Sequence, residues 1–175
     1  MEEGFNMCQR MLSLRGDIDE KTTGRIIDEI IAMNIEDSTD LSPIHLFLQS
    51  DGGVAMDGYS LVDIMKWSKI PIYTYCNSYV SSSASDIFLM GERRYVFPHS
   101  RILVHGVKSS MDNLTLPNLK TTLNNVEAIE EFGKQLLLER TNLTSKDIKK
   151  IYSANGDIWY GYKEALDCGI TTDLI

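Results

Sequence analysis

Four serines fall within the five residues Ser81 to Ser85, directly before the apolar stretch Ile87 to Met90. Such a cluster either caps a helix or holds one hydroxyl that does chemistry. Serine is a common cap, yet one cap needs only one hydroxyl. A serine on the first turn would also lie beside unpaired N–H groups and the positive end of the helix dipole, which can hold a developing oxyanion. His105 ends the run RILVH, at the mouth of a strand and directly before Gly106. It is either a satisfied structural histidine or a general base, and His45 and His99 are weaker candidates for the same role. The turn SDGG, Ser50 to Gly53, follows a strand and precedes a helix. Its glycines permit positive φ and close backbone approach, so a peptide N–H can point into a cleft at the strand's carboxyl end; a plain βα turn is the other possibility. The third glycine of a dinucleotide fingerprint and the lysine of a phosphate loop are both absent. Taken together, these features supply what acyl transfer needs: a nucleophile, a base and oxyanion donors.

Those residues need elements to hold them. RMLSLR from Arg10, IHLFLQ from Ile44 and PIYTYC from Pro71 have the apolar, β-branched and aromatic content of strands, with Gly, Pro, Ser or Asn at their ends. Between them, Ile26, Ile27, Ile30 and Ile31, and then Leu61, Val62 and Met65, recur at helical spacing. Strands joined by helical crossovers of this length predict a parallel sheet and an α/β fold. From about Leu114 the pattern changes. Leu119, Leu123, Val126, Ile129, Phe132 and Leu136 step by three or four residues along one long helix, a stripe suited either to another subunit or to the chain's own core. Thr144 opens a further helix with Asp147 as a capping-box acid, and GYKEALDCG predicts a short helix stopped by Gly169.

At 175 residues and 43% hydrophobic, the chain is long enough for one well-buried domain. No apolar run approaches a membrane span and the first residues are not a signal peptide, so a cytoplasmic protein without membrane contact is expected. A net charge of −8 and a pI near 4.8 argue against nucleic acid as a partner, and the pair Arg93-Arg94 is too short to reverse that. Cys8, Cys76 and Cys168 include no C-x-x-C pair, so they are expected to be packing thiols rather than disulfides or metal ligands.

In order along the chain, HLFLQSDGG, YCNSYVSSSASDIFLMGE, FPHSRILVHG and GDIWYGYKEALDCGI resemble the proteolytic subunit of the Clp protease, in the wider family with the crotonase-like spiral fold. The resemblance runs from Arg10 to the end of the chain. It implies a single domain over residues 1–175, a spiral of repeated ββα units with a head at about 10–113 and 154–175 and a protruding handle at about 114–153. It also implies a serine endopeptidase acting on peptides or unfolded proteins, with Ser82 as nucleophile, His105 as general base and Asp157 orienting the histidine. The backbone N–H groups of Gly53 and Ser83 would form the oxyanion hole, and neither metal nor cofactor is called for. The partners implied are further copies of the chain, in rings stacked through the handle to enclose a chamber, and an AAA+ unfoldase. Asp86, one helical turn beyond Ser82, would share its face and add a charge there. That charge motivates the alternative of a catalytically silent ring subunit acting as scaffold or regulator.

Overall fold

The computed structural model describes residues 10–36, 41–108, 115–153 and 156–175. Cys8 and the expected head–handle boundaries near 113–114 and at 154 lie outside the described residues.

Strand β1 (Met11–Arg15), β2 (Ile44–Ser50) and β3 (Ile72–Ser81) pair in parallel, as the crossover lengths require. The crossovers are helix α1 (Glu20–Glu36) and α2 (Ala55–Trp67), and α3 (Ser83–Met90) follows β3. Along β2 every second residue, Ile44, Leu46, Leu48 and Ser50, is buried, so one face of the strand is committed to the core. Ile26 and Ile30 of α1, Leu61 and Met65 of α2, and Ile87 and Phe88 of α3 close over that face. The opposite face carries a half-exposed aromatic row in which Phe47 stacks on Tyr75 and Tyr75 on Tyr95, with ring centroids 4.5 and 4.7 Å apart. Three short strands extend the sheet beyond the expected ones: β4 (Arg93–Val96), then β6 (Ile158–Tyr160) and β7 (Asp173–Leu174). β5 (Arg101–Val104) lies between β3 and β6, parallel to the former and antiparallel to the latter.

Helix α4 (Leu116–Arg140) is the long helix, with Pro117 in its first turn, where a missing N–H costs nothing. Only Gly133 and Leu137 of it are buried. Of the expected apolar stripe, Leu119, Leu123 and Phe132 are 42%, 52% and 59% exposed, so along most of its length α4 has no core of its own to bury against. Helix α5 (Ser145–Ile151) starts with the expected capping box, in which Thr144 and Asp147 satisfy each other's backbone N–H groups. Helix α6 (Tyr162–Asp167) ends before Gly169, whose φ of 71° is the left-handed conformation that glycine adopts without strain.

Arg94 is buried and structural. Its guanidinium donates to the backbone carbonyls of Gly91, Arg140, Gly169 and Ile170, tying the end of α4 and the final segment to the strand that carries it.

Candidate active site

The serine cluster straddles a strand-to-helix junction. Ser81 is the last residue of β3, Ser83 the first of α3, and Ser82 is the hinge between them. Ser82 has φ 57° and ψ −132°, the one positive φ outside glycine among the described residues. A β-carbon in that region costs on the order of 1–3 kcal/mol, and such residues persist only when the surroundings hold them. They do here. The Ser82 N–H donates to Leu103 O at 3.1 Å, and the Ser85 N–H donates to Ser82 O at 2.8 Å. The Ser82 hydroxyl makes no capping hydrogen bond, so capping does not account for it. Its neighbours are placed otherwise: the hydroxyls of Ser81 and Ser83 are buried and have no hydrogen-bond partner. Of these three, Ser82 alone sits at a strained backbone position, and like Ser83 it borders a cavity, so the strand-to-helix turn has the shape of a nucleophile elbow.

The glycine turn makes room for this junction. Gly52, at φ 98°, lies so close that a β-carbon there would sit 2.6 Å from Ser82 Cβ and 2.7 Å from Ser81 O. Gly53 bridges to Ile18. The bridge uses the Gly52 carbonyl, accepting from Ile18 N–H at 2.9 Å, and the Val54 N–H, donating to Ile18 O at 2.8 Å, so the N–H of Gly53 itself stays out of that pairing. Ser83, as the first helical residue, has an N–H with no intrahelical acceptor.

Strand pairing brings the histidine in. β3 and β5 run parallel with Ser81 beside Leu103, so His105, just past the end of β5, flanks the serine junction on a neighbouring strand about 4.8 Å away. His105 Nδ1 contacts Gly106 O at 2.5 Å. A carbonyl oxygen only accepts, so Nδ1 donates in this contact and Nε2 is the ring nitrogen left for other partners. On the other side, β5 pairs antiparallel with β6, Val104 opposite Ile158. One residue further in that register sets His105 opposite Asp157. The Asp157 carboxylate is bonded to Lys108 Nζ at 2.8 Å, and that bond, with the charges of Lys108 and His105, holds it below the usual carboxylate range. Asp157 therefore lies beside the histidine while accepting its hydrogen bond from Lys108 Nζ.

A cavity of about 280 Å³ joins these groups: Gly53, Ser82, Ser83 and His105 all line it. Asp157 does not. Asp86 does, half-buried beside Tyr59, whose hydroxyl donates to Ile129 O at 3.1 Å; desolvation pushes the carboxyl up to about 7. The same burial, with the Asp86 charge, raises Tyr59 and Tyr152. Burial also lifts the Cys76 thiol to about 11, which keeps it protonated and inert at neutral pH. Among the described residues no group of three or more His, Cys, Asp or Glu is placed to hold a metal ion, and no helix is long and apolar enough to cross a membrane.

The family model for Clp protease matches residues 5–175. The chain belongs to the Clp protease family. Within that family it is similar to ATP-dependent Clp protease proteolytic subunit 2 of Treponema denticola, 26% identical over 167 residues that cover 94% of this chain and 81% of the relative. It is 30% identical over 179 aligned positions to the ATP-dependent Clp protease proteolytic subunit of Cucumis sativus, covering 95% and 84% of the two chains. The fold superposes on a solved ClpP1 mutant from Listeria monocytogenes with a TM-score of 0.82, at 22% identity, over 95% of this chain and 91% of the other. The expected architecture is therefore the observed one: an α/β Clp-protease-type crotonase-like fold with α4 as its long helix.

Within this Clp-family fold, residues that stood apart in sequence come to neighbouring strand ends: Ser82 follows β3, His105 follows β5 and Asp157 precedes β6. Two participants escaped the reading of motifs. Lys108, the partner of Asp157, carries no local signal. Tyr59 on α2 meets Asp86 only through helix packing, and nothing in its own segment marks it.

Proposed function

We propose that this chain is a serine-type endopeptidase subunit that cleaves peptides or unfolded proteins by acyl transfer. Ser82 Oγ attacks the scissile carbonyl while His105 Nε2 takes its proton. The tetrahedral oxyanion accepts hydrogen bonds from the Gly53 and Ser83 N–H groups. His105 then returns the proton to the leaving amine, and water repeats the sequence on the acyl-enzyme. Asp157, by accepting from His105 Nδ1–H, would orient the ring and stabilise the imidazolium. That step requires two exchanges, Nδ1 leaving Gly106 O and Asp157 leaving Lys108, each a side-chain or loop adjustment at the exposed end of a strand. The observation that carries the reading is Ser82, strained at φ 57°, free of capping duty and sharing a cavity with His105.

The exposed apolar residues of α4 support assembly through that helix, since Leu119, Leu123 and Phe132 would otherwise stay in water. Copies of the chain would then form rings that enclose the sites in a cytoplasmic chamber. An AAA+ unfoldase would supply unfolded substrate, in keeping with the words "ATP-dependent" in the relatives' names.

A second reading, a catalytically silent ring subunit, is favoured by one feature: Asp157 is engaged by Lys108 rather than by His105. Labelling with a fluorophosphonate probe separates the two. The peptidase reading expects one modified peptide containing Ser82, lost in Ser82→Ala. No label in protein that sizing shows to be assembled would overturn it in favour of the silent subunit.

A further inference from the structure

We propose that Asp86 makes the cavity beside Ser82 a recognition pocket for a basic side chain, so that cleavage follows lysine or arginine. This rests on Ser82 being the nucleophile. Asp86 lies four residues beyond Ser82 on α3, and both residues line the one cavity. Four residues of helix span about 6 Å, the reach of lysine's four-carbon stem. The walls between are suited to that stem, with Val126 and Ile129 of α4 giving apolar surface and Tyr59 and Tyr152 giving polar tips.

The carboxyl has no cation of its own. Among the described residues Asp86 makes no ion pair, and the Tyr59 hydroxyl beside it donates to Ile129 O at 3.1 Å. Nearby cations are already engaged. Lys134 of α4 binds Glu130 at 3.2 Å and lies over the Tyr152 ring, while Lys108 binds Asp157. The titratable groups that share the cavity with Asp86 are Tyr59 from α2, Tyr152 at the end of α5, and His105 and Lys108 beyond β5, while Glu130 and Glu131 of α4 lie near Tyr152 outside the cavity lining. Glu130 and Glu131 act on Tyr152 with the same sign as Asp86.

A buried carboxyl without a counter-ion is costly when ionised, and a bound ammonium or guanidinium relieves that cost. A neutral side chain of the same length relieves nothing. Burial holds Asp86 near 7, so its charge, and with it the preference for a basic side chain, grows as pH rises through neutrality.

The test uses two internally quenched peptides identical except for lysine or norleucine at the residue whose carbonyl is attacked. Assembled wild-type protein and Asp86→Asn are assayed at pH 6 and pH 8. The expected result is kcat/KM for lysine at least tenfold above norleucine at pH 8, a smaller ratio at pH 6, and a ratio near or below one in Asp86→Asn. Equal or better cleavage after norleucine by wild type at pH 8 overturns the proposal, as does an unchanged ratio in a folded Asp86→Asn. The wild-type ratio decides alone if that variant fails to assemble. Anisotropy of the labelled peptides on Ser82→Ala protein needs no chemistry and separates the two readings. Cleavage without preference defeats the pocket and leaves the peptidase standing. Lysine-selective binding that Asp86→Asn abolishes, without any cleavage by wild type, defeats the peptidase and keeps the pocket. Neither selectivity defeats both.

Discussion

Replacing Asp86 by asparagine keeps the side chain's size and removes its ability to ionise, so it isolates the cost of a buried carboxyl beside the nucleophile. Burial raises Asp86 from 3.8 to about 7, with the nearby Tyr59 hydroxyl opposing only part of that rise. A native value above the unfolded one means the native state binds the proton more tightly. The stability this supplies is complete below pH 4, is lost as pH rises from about 4 to about 7, and changes no further above. The displacement corresponds to about 4 kcal/mol, at about 1.4 kcal/mol for each pH unit between the two values. Wild type should therefore carry a destabilising slope across that window that Asp86→Asn lacks, and the variant's stability relative to wild type should improve by about 4 kcal/mol between pH 4 and pH 8. Urea unfolding at half-unit pH steps, at one protein concentration so that assembly contributes equally, reads this directly. In thermal melts the relative gain is about 10 °C for a chain of this size. A difference between the two proteins that stays constant from pH 4 to pH 8 would mean instead that Asp86 titrates as an ordinary exposed carboxylate.

Gly52→Ala should lower stability by about 3 kcal/mol and weaken probe labelling of Ser82, since its β-carbon would press on Ser82 Cβ and Ser81 O from a positive-φ position; denaturant midpoints and labelling rates check both. Lys108→Ala should raise kcat several-fold by releasing Asp157 to accept from His105 Nδ1–H, with the thermal midpoint unchanged because the pair is solvent-exposed. A fall in kcat would show instead that Lys108 supports the site.

Much of the fold was legible because it is written in local periodicity. Alternation marks β1, β2 and the start of β3, and helical spacing marks α1 and α2. The apolar spacing from Leu119 to Leu136 marks α4, and Thr144 with Asp147 forms the capping box of α5 because that motif closes within four residues. β4, β6 and β7 are two to four residues long, too short for periodicity to register, and their pairing is set by distant partners.

The site divides along the same line. Residue types and order point to a serine, a histidine and a glycine turn, and the family resemblance selects Ser82, His105 and Asp157 from among their neighbours. Local order cannot say which serine is strained into a cavity, since φ 57° at Ser82 is imposed by Leu103, Ser85 and the close approach of Gly52. Nor can it say that Arg94, one of an adjacent arginine pair, is buried as a clamp on four carbonyls while Arg93 pairs with Asp173 at the surface. From the sequence alone follow the longer strands and helices and the chemistry-bearing residues at their ends, because propensity, capping and hydrophobic patterning act over a few residues. Only the tertiary structure decided that three strand ends are neighbours, that Asp157 faces Lys108 and that Asp86 opens into the serine's cavity without a counter-ion, because burial, charge pairing and backbone strain depend on what the rest of the chain places nearby.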